Sequence, residues 1–153
     1  MPLLPQDQRF LAIALDEARA GQAEGGVPIG ACLAADGAAL GRGRNRRMQQ
    51  GDPILHGEMD ALRSAGRLRA GVYRRATMYT TLSPCAMCSG AIVLYGIPRV
   101  VLAENTTFRG EEDWLQSRGV EVVALDLAEA KELMARFRRE HPTAWNEDIG
   151  VES

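Results

Sequence analysis

Cys85 and Cys88 stand three residues apart within Thr81-Leu82-Ser83-Pro84-Cys85-Ala86-Met87-Cys88-Ser89-Gly90. On a helix this spacing turns both sulfurs toward nearly the same face. Ser83-Pro84 reads as the helix opening, with Ser83 as the cap and Pro84 in the first turn. Both thiols then fall where unpaired amides and the helix dipole favour thiolate, the form that binds a metal. Zinc takes thiolate and neutral imidazole, and a catalytic zinc keeps one position for water. The chain has two histidines, His56 and His141. Cys85, Cys88 and one imidazole make three protein ligands with a fourth position open.

Glu58 follows His56 by two residues, a spacing that on a regular helix points the two side chains apart. They converge if His56 stands at the helix start, where the backbone is not yet helical. Gly57 between them lets a flat molecule approach the backbone, and its amide at a helix N-terminus is a free donor. Glu58 alone could be a first-turn glutamate complementing the helix dipole. Likewise, a lone C-x-x-C could be redox-active or half of a structural zinc knuckle. Cys32 could add a third thiol and close the site, but reads better as a buried strand thiol packing as a small hydrophobe. His141 reads as an exposed residue at a helix C-terminus.

The elements that must hold these residues alternate. Apolar positions Phe10, Leu11, Ala14, Leu15 and Ala18 recur at helical spacing over 8–24, and Gly25-Gly26 ends that helix. Residues 27–35 and 38–44 read as strands joined at the hairpin signal Asp36-Gly37. Further helices are expected over 56–64, 84–95, 111–118 and from the capping box at 126–129 to about 141, with strands over 77–81, 99–103 and 120–125. Alternation in the second half implies right-handed crossovers onto a largely parallel sheet. The expected fold is α/β, a three-layer α/β/α sandwich with a mixed sheet of about five strands, as a single domain over 1–153.

The 153 residues, 46% hydrophobic and 25% charged, suit a globular protein that buries its own core without disulfide staples. A net charge of -2 gives no general attraction to nucleic acid or anionic membrane. Lys131 is the one lysine and follows no glycine-rich loop, which argues against a phosphate-loop enzyme and a Schiff base. No signal pattern opens the chain and no stretch reaches the roughly 20 apolar residues of a membrane helix. Three cysteines, two of them in C-x-x-C, fit a reducing compartment. The expectation is a cytoplasmic protein with neither nucleic-acid nor membrane partner.

His56-x-Glu58 with Pro84-Cys85-x-x-Cys88 matches the signature of zinc nucleobase deaminases. The chain resembles the yeast-type cytosine deaminases of the cytidine deaminase superfamily, from about Asp7 to Gly150. The resemblance is densest at 24–30, 40–43, 55–58 and 79–101, and the ending Trp145-x-x-Asp148 narrows it to this branch. It implies His56, Cys85 and Cys88 as ligands of one catalytic zinc, and Glu58 as proton shuttle for hydrolysis of cytosine to uracil plus ammonia by zinc-activated hydroxide. It further implies that Asn45 orients the pyrimidine and that the Gly57 amide binds its carbonyl. The Ser83 carbonyl and Asp148 carboxylate would then face the departing amine. Ile29, Leu82, Phe108 and Trp145 would form apolar walls, with the C-terminal element as a lid. A homodimer in pyrimidine salvage is implied too, and the apolar run 91–95 suits either a dimer surface or a buried helix.

Asp52-Pro53-Ile54 and the loop around Phe108 depart from the family pattern and bear on substrate identity. Alternatives are another small amino-heterocycle (a modified pyrimidine, a triazine or creatinine), a tRNA adenosine deaminase relative using Arg42, Arg44, Arg46 and Arg47 on phosphate, and a non-catalytic zinc-stabilised interaction domain.

Overall fold

A computed structural model of the chain describes residues 3–152; Met1, Pro2 and Ser153, which the expected domain includes, lie outside the described residues. In chain order the elements are α1 (Pro5–Ala23), β1 (Gly30–Ala35), β2 (Ala38–Arg44), α2 (Arg47–Gln50), α3 (Gly57–Ala65), α4 (Ala70–Tyr73), β3 (Thr77–Thr80), α5 (Ala86–Tyr95), β4 (Arg99–Leu102), α6 (Glu112–Ser117), β5 (Glu121–Ala124), α7 (Ala128–Glu140) and α8 (Pro142–Asp148). Among the described residues they form one five-stranded sheet in the order β2-β1-β3-β4-β5. β1 runs antiparallel to both β2 and β3, whereas β3, β4 and β5 are parallel, as the alternation of the second half requires. The β1–β2 turn is the two-residue one expected, with Asp36 and Gly37 both at positive φ.

Strand alternation divides the core between the two faces. Ala31, Leu33, Met78, Val100, Leu102 and Val122 point to one side, where Ala61 of α3, Ile92 of α5 and Leu115 of α6 cover them. Cys32, Ala34, Tyr79, Val101 and Val123 point to the other, under Phe10, Leu11 and Ala14 of α1 and Ala130 of α7. These are the three layers. Close helix approach depends on missing side chains. A Cβ at Gly30 would lie 2.1 Å from the Ala14 carbonyl oxygen, and one at Gly43 would lie 2.3 Å from the Ala61 nitrogen.

Several local expectations are corrected. The first strand begins at Gly30 rather than at residue 27, because Val27 and Ile29 turn into a third cluster with Leu82, Met134, Phe137 and Trp145. Ser83 does not cap α5. Cys85, with extended φ/ψ of -71° and 178°, is the N-cap, and the Ser83 hydroxyl donates to Glu112 Oε2 instead (2.5 Å). The predicted capping box at 126–129 does not form; Leu127 is the N-cap of α7 and makes no side-chain cap bond. Pro142 ends α7 but also starts α8, since proline suits a first helical position.

Candidate active site

Two helix N-termini meet beyond the carboxyl ends of β3 and β4, the place where open α/β sheets commonly bind ligands. His56 is the N-cap of α3 with an extended backbone (φ -67°, ψ 164°). This is the non-helical geometry that the His56/Glu58 spacing calls for, and Glu58 follows buried in the first turn. Cys85 caps α5 and Cys88 lies in its first turn, an arrangement that brings an N-cap side chain back over the third helical residue. His56 Nδ1 stands 3.4 Å from Cys85 Sγ and 3.8 Å from Cys88 Sγ. The three donor atoms all lie within 4.8 Å of one another, close enough to share one ion. Two sulfurs and one imidazole nitrogen are a zinc donor set, so these residues fit the metal. Cys32 is buried in the core on the α1 side of the sheet and His141 is exposed at the end of α7. Neither belongs to this group.

The cluster is strongly polarised. The neighbouring Cys88 thiol and then His56 hold the Cys85 thiol down at about 4, against burial. Cys88 is pushed well up by its hydrogen bond with Cys85 and by burial. Burial opposes the charge on His56, but the Asp148 carboxylate and Cys85 lift it to about 10. Glu58 is raised to about 7, chiefly by burial and then by the Cys85 charge. A carboxyl poised there exchanges protons near neutrality, as a shuttle must.

A narrow cleft opens over this cluster, lined by Ile29, His56, Glu58, Leu82, Ser83, Cys85, Phe108, Trp145, Asp148 and Ile149. Phe108 and Trp145 meet edge to face above it, ring centroids 6.4 Å apart. α8 brings Trp145 and Asp148 in together, three residues apart on one helix. Asp148 Oδ2 accepts a hydrogen bond from Asn45 Nδ2 (3.1 Å). Its other oxygen lies 3.2 Å from His56 Nε2 but has no partner in good hydrogen-bond geometry.

Asn45 is fully buried beside Asp148, and its Oδ1 accepts from the Arg47 amide (3.0 Å). Gly57 opens α3 beneath Ile29, whose carbonyl oxygen would stand 3.2 Å from any Cβ there. Of the two departures noted in the sequence, Asp52-Pro53-Ile54 forms a turn closed by the Ile54 amide on Asp52 Oδ1 (3.0 Å), with Ile54 pointing to solvent. It takes no part in the cleft lining. The loop before α6 does, through Phe108.

Three participants carry no motif in the sequence. Ile149 lines the cleft as the residue following Asp148. Glu112 holds Ser83 in place, and Ser83 Oγ in turn accepts from the Gly110 amide (2.9 Å). Glu104 is buried at the end of β4, where its Oε2 accepts from the Thr106 and Thr107 amides (2.8 and 2.9 Å) and shapes the approach to Phe108.

Residues 4–104 match the model of the cytidine and deoxycytidylate deaminase zinc-binding region. The chain therefore belongs to that family of zinc-dependent deaminases. It is 53% identical over 145 residues to the cytosine deaminase of Candida albicans, covering 94% of this chain and 97% of that protein. It is 38% identical over 120 residues to a tRNA-specific adenosine deaminase of Streptococcus pyogenes (76% of this chain, 75% of that one). Among solved structures, one from work on A-to-I editing by tRNA:A34 deaminases superposes with a TM-score of 0.66 at 28% identity, over 78% of this chain and 98% of that one. A guanine deaminase from Nitrosomonas europaea shares the fold, with a TM-score of 0.71 at 22% identity over 91% of this chain and 87% of that one. Among the described residues no helix is long and apolar enough to cross a membrane.

Proposed function

We propose that this chain, acting as a single domain, deaminates a free nucleobase by hydrolysis, cytosine to uracil plus ammonia. The observation that carries the reading is Glu58, a buried carboxyl set beside the His56–Cys85–Cys88 donor group under the Phe108–Trp145 roof. The 53% identity to a cytosine deaminase supports the choice of base.

His56 Nδ1 and the two cysteine sulfurs would hold a zinc ion, which would supply a Lewis acid able to bring the pKa at which a water loses its proton toward neutrality. Glu58 accepts that proton and delivers it to the ring nitrogen beside the amine-bearing carbon. The oxygen of the water ends on that carbon. Glu58 then returns the second proton to the exocyclic nitrogen, which leaves as ammonia. One water enters and one ammonia departs.

Asn45 recognises the opposite edge of the ring. Its amide carries two donors and two acceptor sites. Asp148 takes one donor and the Arg47 amide takes one acceptor site. One donor and one acceptor remain, the complement of an adjacent ring N–H and carbonyl. The Gly57 amide, a first-turn donor of α3, adds a second bond to that carbonyl. The Ser83 carbonyl and the Asp148 oxygen that lies 3.2 Å from His56 Nε2 face the amine. Ile29, Leu82, Phe108 and Trp145 hold the flat ring and keep water out.

The reading extends to a cytoplasmic homodimer in pyrimidine salvage. On α5, Leu94 is 75% and Tyr95 44% exposed although Ile92 is buried, and Tyr95 stacks on Tyr73 at 5.0 Å. Such a patch favours a second copy.

The test is ammonia release by the zinc-loaded protein from cytosine, 5-methylcytosine, guanine, creatinine, an aminotriazine and an adenosine-containing tRNA stem-loop. Turnover of cytosine above the others is expected. Release from the tRNA alone would move the chain to the adenosine deaminases, the reading that the 38% identity favours. α8 lying across the cleft favours a small ring.

A further inference from the structure

Asp60 lies two residues beyond Glu58 on α3 and is 1% exposed; its amide donates to the His56 carbonyl within the helix (2.9 Å), but its carboxylate is neither one of the clustered donors nor part of the cleft lining. Its Oδ2 accepts two hydrogen bonds, one from the backbone amide of Arg44 and one from Arg46 Nε, each 2.9 Å. Arg44 and Arg46 are the residues on either side of Asn45. The other oxygen accepts from Arg63 Nε and its terminal nitrogen, at 3.1 and 2.5 Å, one turn along the same helix. A buried carboxylate with four such bonds keeps its charge and its place, because both lone-pair regions are satisfied and the charge is balanced by guanidinium.

We infer that Asp60 is a positioning residue for substrate recognition, pinning the two residues that flank Asn45 to the helix that carries Glu58. The inference rests on the reading of Asn45 as the group that orients the base. The backbone of Asn45 hangs from the sheet through its amide on the Ile29 carbonyl (2.9 Å), and that of Arg46 through its amide on the Leu55 carbonyl (2.9 Å). Those two bonds set its height above the strands. Asp60 sets its distance from α3, where β2 already lies so close that Gly43 admits no Cβ. The recognising amide and the proton-shuttling carboxyl are thus held in one frame by a single oxygen atom. A misplacement of 1 Å can cost about 10²-fold, and for a group that orients the base the loss falls on KM.

The test is a mutant cycle on the zinc-loaded enzyme with cytosine, using Asp60→Ala, Asp60→Asn, Arg46→Met, Asn45→Ala and the pairs with Asn45→Ala. Zinc content and melting temperature are measured for each. Arg46→Met is expected to raise KM several-fold with kcat less affected, and Asp60→Ala to raise it about tenfold or more. Asp60→Asn, which keeps an acceptor for the Arg44 amide, should recover part of that loss. In the Asn45→Ala background the same changes should have little further effect, since the group they position is gone. Should Asn45→Ala abolish turnover, the cycle is read on the dissociation constant of uracil. Should Asp60→Ala not fold, Arg46→Met carries the test, because it leaves the carboxylate and the Arg44 bond in place. A loss of Vmax at constant KM, or full additivity with Asn45→Ala, would overturn the inference and assign Asp60 to stability alone. If Asn45→Ala itself leaves kcat/KM and uracil binding unchanged, it is the reading of Asn45 that fails.

Discussion

At the scale of single residues, Glu58 separates binding from chemistry. It is buried and raised to about 7, and it is not one of the three clustered donors. Glu58→Gln keeps the size and the hydrogen-bonding capacity but carries no transferable proton. We expect zinc content to stay at that of the unaltered enzyme, while ammonia release falls by at least the ~10²–10⁴-fold that a positioned acid/base contributes. Undiminished release would remove Glu58 from the mechanism. Cys85→Ala should do the reverse, lowering the zinc content first and the activity with it, because three donors hold a metal far better than two. The shape of the site also depends on residues that hold others. Ser83, a residue of the cleft lining, is fixed from both sides through its hydroxyl, by Glu112 and by the Gly110 amide.

At the scale of elements, the contact between β2 and α3 is the tightest constraint near the site. Gly41 and Gly43 are two apart on β2 and so share the face toward α3, while Arg42 and Arg44 turn to Glu17 on α1. The Cβ of an alanine at residue 43 would stand 2.3 Å from the Ala61 nitrogen and 2.5 Å from the Asp60 carbonyl carbon, both backbone atoms. Gly43→Ala therefore has to push the strand off the helix, at a cost of about 1–3 kcal/mol. Urea denaturation reads that loss. The KM for cytosine should rise in parallel, because Asn45 leaves β2 only two residues later. A stable variant with wild-type KM would show that the strand position does not govern recognition.

Across the whole molecule, Asp7 in α1 ties the first helix to the middle of the sheet. Its carboxylate accepts from Tyr79 on β3 and from both terminal nitrogens of Arg99 on β4, all at 2.7 Å, and from the Leu4 amide (2.7 Å). Burial works against its charge, but Arg99, Tyr79 and the Leu4 amide hold its pKa down at about 2, from 3.8. A folded pKa below the unfolded one means stability that is present above about pH 4 and drains as pH falls toward 2. Asp7→Asn leaves Arg99 buried beside a neutral amide with only Glu121, 3.5 Å away, to balance its charge, so a loss of about 1–3 kcal/mol is expected, and the acid limb of the stability curve should flatten. Unfolding followed by circular dichroism between pH 2 and 7 checks both. The exposed end of α5 makes a separate prediction. The proposed pairing through this end of α5 predicts that the unaltered chain sediments as a dimer and Leu94→Asp as a monomer, with little change in monomer stability, since that side chain is 75% exposed.

Features written in local spacing were legible before any coordinates. The convergence of Cys85 with Cys88, and of His56 with Glu58, follows from positions two or three apart at helix starts. The alternation of elements determines three layers and a parallel second half, because parallel strands need helical crossovers. The two-residue turn at Asp36-Gly37 follows from the residues that accept positive φ. Contacts between distant segments were not legible. That Ser83 serves Glu112 rather than the start of α5, that Asp60 reaches the residues around Asn45, and that Ile149 enters the cleft depend on how helices dock on the sheet. A serine before a proline carries the same local cap signal whether or not a glutamate 29 residues away competes for its hydroxyl. The sequence by itself determined the donor types and the layer order, since short-range geometry specifies them. Only the tertiary structure decided which buried side chains hold them in register, since those partners meet only once the layers have packed.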